Sequence, residues 1–139
     1  MHNSIIGFII FSLISLTVSS ETYKLDPAHS RIEFKVKHLV FSNVMGVFKS
    51  YEGTLDFDTK TMTASNVWAK IDVKSIDTFE STGDRDKHLK GSDFFNVDKY
   101  PFMEFKGSKV EVGKDKKKGK VFGNLTLHGV TKPVTIDVT

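Results

Sequence analysis

The chain has no cysteine. Disulfides, thiolate metal sites and a cysteine nucleophile are therefore excluded, and stability must come from packing and sheet hydrogen bonds. There is no Gly-x-Ser-x-Gly elbow, no internal repeat and no pattern that would make a long helix. The one extended apolar run, Ile5 to Val18, is broken by Gly7, Ser12, Ser15 and Thr17 and is short for a bilayer span. It ends in the small residues Ser19 and Ser20, the shape of a secretory signal peptide cleaved after Ser20, although His2 is the only basic side chain ahead of it. An uncleaved anchor is the alternative. On the cleaved reading, residues 1–20 are a leader and 21–139 form one exported domain with one core.

The leader holds no Lys, Arg, Asp or Glu, so the formal charge of +3 belongs entirely to the mature domain. That charge is mixed along the chain. The only dense basic cluster is Lys114, Lys116, Lys117, Lys118 and Lys120, between or just beyond Gly113 and Gly119. We read it as a solvated loop tip in preference to a nucleic-acid or lipid-headgroup site, and export itself argues against a nucleic-acid partner. Ten of the twelve Phe remain after the leader is removed, since only Phe8 and Phe11 lie in it. So many aromatic rings in a small domain imply a large apolar interior or an apolar cavity.

Downstream of the leader the hydrophobic period is two almost everywhere. Ile32, Phe34 and Val36 alternate with Arg31, Glu33, Lys35 and Lys37, and Val67, Ala69, Ile71 and Val73 alternate with Trp68, Lys70, Asp72 and Lys74. Leu55 and Phe57 continue the pattern, as do Val121, Leu125 and Leu127, and then Val134, Ile136 and Val138. Each run describes a strand with one apolar and one wet face. Turn chemistry separates them: Asp26-Pro27, Asp58-Thr59-Lys60, Gly113 to Gly119, His128-Gly129, and Pro133 at a strand start. Ser81 to Lys90 is the exception, a short helix capped by Ser81 or Thr82 and ended by Gly91, lying across a barrel end or rim. About seven strand-like segments in antiparallel order make an all-β sandwich or barrel, and patterning alone does not choose between them.

Four motifs stand in a characteristic order. They are YKLDPAHSRIEFKVKHL (Tyr23–Leu39), GVFKSYEGTLDFD (Gly46–Asp58), IDVKSIDTFESTGDRDKHLKGSDFFNVDKYPFMEFKGS (Ile71–Ser108) and GNLTLHGVTKPVTIDV (Gly123–Val138). Together they resemble the YceI family, lipocalin-like periplasmic proteins associated with binding polyisoprenoid lipids. The resemblance spans essentially all of residues 21–139. It implies an antiparallel lipocalin-like β-barrel, eight-stranded in the family. Family members usually run about one strand pair beyond the position of Thr139, so the barrel is expected to be incomplete here.

The resemblance also implies function: non-catalytic binding, sequestration or transport of an isoprenoid (a quinone or polyprenyl phosphate) or a similar long-chain lipid in an apolar cavity, within the periplasm. It implies a lipid ligand and no cofactor. Burying an isoprene unit is worth on the order of 3–4 kcal/mol from water, against roughly 4–15 kcal/mol for association. A few units suffice, and exchange with a membrane is reversible because the tail is already in hydrocarbon there. The expected lining is Phe34, Val36, Phe48, Leu55, Phe57, Val67, Ile71, Phe105, Leu125 and Leu127, with Phe94 and Phe95 at the mouth. The competing possibility is that these side chains pack on one another as a solid core, in an exported structural or stress-related protein without a specific ligand. Transient membrane contact and a homodimer formed by edge pairing are both compatible with the pattern.

Polar residues support this reading more than they compete with it. Asp26, His29 and Ser30 lie within five residues but lack the third orienting group and oxyanion hole of a hydrolase, so Asp26 and Ser30 are expected to satisfy backbone groups at a turn. His29, His38, His88 and His128 show no metal-ligand spacing on a strand or helix. His38 and His88, with Arg85, could hold a phosphate or quinone oxygen at the mouth, because Arg matches phosphate in a fork. Arg85 could equally be paired to Asp84 and Asp86 at the surface.

Overall fold

The structure is a computed structural model and describes residues 20–38, 42–115 and 117–139. The expected signal peptide therefore falls outside the described residues, apart from Ser20. Nine strands, one α-helix and one 3-10 turn account for most of the described chain: β1 (Glu21–Lys24), β2 (Ile32–His38), β3 (Ser42–Phe48), β4 (Tyr51–Asp58), β5 (Thr63–Asp72), the 3-10 turn Val73–Ser75, β6 (Ile76–Asp77), α1 (Asp84–Lys90), β7 (Phe102–Val112), β8 (Gly119–Leu127) and β9 (Val130–Val138).

All pairings are antiparallel. They build a six-stranded sheet in the order β1-β4-β5-β7-β8-β9 and a three-stranded sheet in the order β2-β3-β6. The fold is the antiparallel all-β architecture expected, with one short helix. Among the described residues the sheets do not close into a ring: β1 and β9 are the outer strands of the larger sheet.

Strand register assigns the faces. Tyr51, Ile71, Met103, Leu127 and Val130 lie in one row across the larger sheet, and Gly53, Ala69, Phe105, Leu125 and Lys132 in the next. These rows turn toward the smaller sheet, because Ile32 and Phe34 pack on the cluster that includes Ile71 and Met103. Phe48, Ile71, Val73, Ile76, Val97 and Met103 form the buried centre, with Phe95, Leu125 and Leu127 partly buried against it. The core thus sits at the end of the larger sheet where β5 leaves and β7 enters.

Backbone hydrogen bonds stitch that end together. Asp72 N–H donates to the Ser50 carbonyl (2.9 Å), Val73 N–H to Pro101 (2.9 Å) and Lys49 N–H to Ser75 (3.2 Å). The Ser75 hydroxyl donates to the Asp72 carbonyl (2.6 Å) and accepts from the Ser50 N–H (2.9 Å). The opposite end carries the β4–β5 turn, the β7–β8 hairpin tip and the last residue of β9, as the register requires.

Three local features differ from the sequence expectation. The helix begins at Asp84 with Gly83 as N-cap, in the left-handed region at φ 73°, and its first amides are taken from upstream, Asp84 N–H by the Thr82 hydroxyl (3.3 Å) and Arg85 N–H by Glu80 (2.7 Å). Glycine reaches that conformation without Cβ strain, so the N-cap position falls to Gly83, and Thr82 satisfies the Asp84 amide from one residue before it. Pro133 lies inside β9 opposite Asn124 instead of at a strand start; an outer strand tolerates a missing donor there. The strand count also exceeds seven, because alternation does not single out β3 or the two-residue β6. The His128-Gly129 connection is as anticipated: both residues have positive φ (52° and 75°), the signature of a two-residue hairpin turn matched to strand twist.

Candidate functional site: the apolar face between the sheets

The apolar face has two halves. Near the core end it is filled: Phe48, Ile71, Met103 and Phe105 are buried. The Phe48 ring is 5.4 Å from that of Phe34 and 6.3 Å from that of Phe95. A glycine opposite a large ring makes this packing possible twice over. Gly46 faces Phe34, and a Cβ on Gly123 would stand 2.5 Å from Phe105 Cζ. At the hairpin end the same face stays open. Leu55, Phe57, Val67, Val110 and Val134 are half-buried there, and Tyr23 lies with its ring 6.3 Å from Phe57, edge to face.

Ten large apolar side chains are exposed among the described residues. Register puts Tyr23, Val112, Val130, Ile136 and Val138 on the inner face of the larger sheet, and Val36 on the face of β2 that carries Phe34. Their exposure is substantial, 54% for Val36 and 40% for Ile136. Six of the ten thus lie on the facing sides of the two sheets, and Met45, Phe79, Phe94 and Phe102 lie elsewhere; exposed apolar side chains grouped on one face are a feature of binding surfaces.

The structure brings six of the expected lining residues into one cluster: Phe34, Phe48, Ile71, Phe95, Leu125 and Leu127. Phe105 is buried beside them, Leu55, Phe57 and Val67 lie toward the open end, and Val36 stands farther out in solvent. The adjacent rings Phe94 and Phe95 part company. Phe95 turns to the core, whereas Phe94 is exposed and stacks edge to face on His88 at 4.9 Å. The sequence pattern did not flag Val110 or Val112, and it identified Tyr23, Val121, Ile136 and Val138 as residues of extended segments without assigning them to the lining. Cross-strand register supplies that assignment.

Two clefts, of about 320 and 300 Å³, touch this face at Tyr51 and Gly53 and at Gly123 and Val134, respectively. The first runs along β1, β4 and β5 past Leu25, Pro27, Tyr51 and Trp68. The second sits at Ser108, Phe122, Asn124 and Pro133. Neither is lined by any residue of the expected set.

Polar groups flank the face without entering it. Thr78 is 3% exposed. Its hydroxyl donates to Asp86 Oδ1 (2.5 Å), its N–H donates to the same carboxylate (3.0 and 3.3 Å), and Arg85 reaches it from Nε (2.7 Å) and Nη2 (2.8 Å, to the carbonyl). Arg85 N–H donates to Glu80 Oε2 at 2.7 Å. Arg85 is therefore held to Thr78 and coupled to Asp86 through it. His88 is exposed, 3.8 Å from Asp93, and the side chain of His38 lies outside the described residues. Asp77 accepts from Phe79 N–H (2.8 Å) and pairs with Lys49 (2.5 Å), and the Lys49 contact, followed by that amide, holds its carboxyl below the usual range.

The Asp26 turn is a closed hydrogen-bond set. Asp26 accepts from Ala28 N–H (2.9 Å) and contacts His29 Nδ1 (2.7 Å), the latter being the main cause of its lowered pKa. Ser30 donates to the Asp26 carbonyl (2.6 Å), and the Tyr51 hydroxyl donates to the Ser30 carbonyl (2.6 Å). These groups anchor the β1–β2 connection to β4. Among the described residues no three His, Asp or Glu side chains converge as metal ligands would.

A family model described as a YceI-like domain matches residues 23–139. The chain belongs to the YceI family. It is 38% identical to Protein YceI of Salmonella newport over 141 residues, covering 99% of this chain and 72% of the relative. A crystal structure of Campylobacter jejuni YceI protein shares 43% identity at a TM-score of 0.61, over 83% of this chain. This YceI-family chain spans 66% of that structure, slightly under two thirds. Burkholderia cenocepacia BcnA superposes at a TM-score of 0.66 with 27% identity, covering 82% of this chain and 69% of its own.

Proposed function

We propose that this protein binds the chain of an isoprenoid, or of a similar long-chain lipid, along the inner face of its larger sheet, and does so without catalysis. One observation carries the reading: the inner face is exposed at Tyr23, Val112, Ile136 and Val138 toward the hairpin end, while Phe48, Ile71, Met103 and Phe105 are buried toward the core end. The tail would lie over Leu55, Phe57, Val67, Tyr23 and Ile136, with the rings of Phe34, Phe48 and Phe105 as its floor. Family membership supports a lipid ligand, and the apolar stretch Ile5–Val18 supports export to the periplasm as a cleaved 21–139 domain.

The energetics favour carriage over storage. Each buried CH₂ is worth about 0.8 kcal/mol against water, yet transfer from a bilayer gains little, so the lipid exchanges. Arg85 and His88, one helical turn apart on α1, together with His38, are the groups we assign to an anionic or carbonyl headgroup. Arg85 would offer only the guanidinium protons that Thr78 leaves unused.

Native mass spectrometry of the purified protein, followed by solvent extraction, tests this. A stoichiometric long-chain lipid is the expected result. A folded protein free of lipid, and unable to take up a polyprenyl phosphate or quinone from solution, would overturn it.

A further inference from the structure

We propose that the β7–β8 hairpin end of the larger sheet is a docking surface for an anionic phospholipid bilayer. The inference adds a partner to the lipid-binding reading and rests on it only for its purpose; it shares the exposed apolar side chains of the open end with that reading and adds the lysines of the hairpin tip.

Two independent features meet at this end. The first is apolar. Val112 on β7 and Val138 on β9 flank Gly119 in one row across the sheet, exposed by 42% and 49%, with Ile136 one row behind. Glycine between two valines leaves no side chain to cover either. The second is charge. Lys114, Lys117 and Lys118 are exposed on the hairpin tip just beyond that row; charge alone reads as a solvated loop tip, and the adjoining valines are what favour a lipid surface instead. The one carboxylate among these lysines, Asp115, is exposed and accepts the N–H groups of Lys117 (3.0 Å) and Lys118 (3.2 Å), so the described lysines of the tip outnumber it.

The neighbouring strand lysines are already neutralised, Lys109 by Glu111 and Lys120 by Asp137, each at 2.6 Å. Other acids at this end, Asp58 on β4 and Glu21 on β1, are two and three strand positions from β7. At about 4.8 Å per strand that is roughly 10 Å or more, comparable with a Debye length of about 8–10 Å. The tip therefore presents net positive charge beside exposed aliphatic side chains. Long lysine stems let the ammonium groups reach headgroup phosphates while the valines enter the boundary below. A polynucleotide would satisfy the charge but not the valines, and no aromatic stacking platform accompanies these lysines. The docked end is also the open end of the inner face, so a lipid tail could pass between bilayer and protein without crossing water.

The test is sedimentation of the exported protein with vesicles of phosphatidylcholine mixed with phosphatidylglycerol, and with phosphatidylcholine alone. Binding is expected to the mixed vesicles, weakening as salt rises. Lys114→Gln, Lys117→Gln and Lys118→Gln should each weaken it roughly fivefold, and about a hundredfold together, at about 1 kcal/mol per basic residue near an anionic surface. Val112→Ser with Val138→Ser should weaken it further at constant charge. All five side chains are exposed, so an unchanged melting temperature verifies the fold. Failure of the wild-type protein to bind mixed vesicles, unaltered binding by the triple Gln variant, or tighter binding to a single-stranded oligonucleotide than to vesicles would each overturn the proposal. A protein with no extractable lipid that still sediments in this charge-dependent way would sink the cargo reading and sustain this one.

Discussion

The carboxylate of Asp86 takes both donors of Thr78, its hydroxyl at 2.5 Å and its amide at 3.0 Å. This fixes the start of α1 to the end of β6 and closes the long connection that leads from the smaller sheet back to β7. Buried polar groups that lose such a partner carry their full desolvation cost. Asp86→Ala should therefore lower unfolding free energy by about 1–3 kcal/mol. Asp86→Asn, which keeps one acceptor, should lose less. Urea denaturation of the two variants checks the ordering; equal losses would show that the charge, not the acceptor, holds Thr78.

Gly123 and Gly83 separate two reasons for glycine. A Cβ at Gly123 would meet the Phe105 ring and the backbone carbonyl of Lys106, which cannot swing aside. Gly123→Ala should cost about 1–3 kcal/mol through overpacking. At Gly83 a Cβ meets nothing within 4 Å, but φ is +73°. Gly83→Ala should cost only about 1–2 kcal/mol, from the left-handed backbone. Thermal melts of both variants test this, and only Gly123→Ala should disturb near-ultraviolet signals from the core.

Phe57 and Phe105 distinguish a groove from a packed interior. Phe57 is half-buried at the open end, whereas Phe105 is 3% exposed. Phe57→Trp should leave the melting temperature nearly unchanged while reducing lipid retention. Phe105→Trp should destabilise by about 1–3 kcal/mol. If Phe57→Trp also cost that much, and no lipid were retained by the parent, the face would be filled from end to end.

Acid should loosen the fold at identifiable places. Asp56 is held below the ordinary carboxylate range by hydrogen bonds from Asn66, then Thr22, and Asp58 by the amides of Lys60 and Thr61. Asp26 and Asp77 are lowered as well. A carboxyl with a depressed folded-state pKa contributes stability that is present above its unfolded value, about 3.9, and is lost as pH falls through the folded value. Melting temperature should hold level from neutral pH down to roughly pH 4 and then fall. Because Asp56 joins β1 to β5 through Thr22 and Asn66, amide exchange should show β1 releasing first. Asp56→Asn should flatten that local response.

Several features were legible in the residue order because their physics is local. Alternation at Ile32–Val36 and Val67–Val73 sets strands through the two-residue pleat. The positive-φ demand of a tight hairpin selects His128-Gly129. The Asp26 and Ser30 side chains bond backbone within their own turn, a reach of two to four residues. Motif order across residues 23–138 was likewise enough to indicate the family, since four segments had to occur in sequence.

Other features depend on distance in space. Adjacent Phe94 and Phe95 are chemically identical, and only the path of the chain after α1 sends one inward and the other onto His88. The same is true of Arg85: its sequence neighbours are acidic, yet its guanidinium goes to Thr78, seven residues away. The sequence by itself determined which residues can form apolar strand faces, where the chain turns and how charge is spread. Tertiary structure alone decided which part of the apolar face is filled, because filling depends on what stands opposite: Phe34 over Gly46 and Phe105 over Gly123 close one half, while no partner among the described residues fully covers Ile136, Val138 and Val112 in the other.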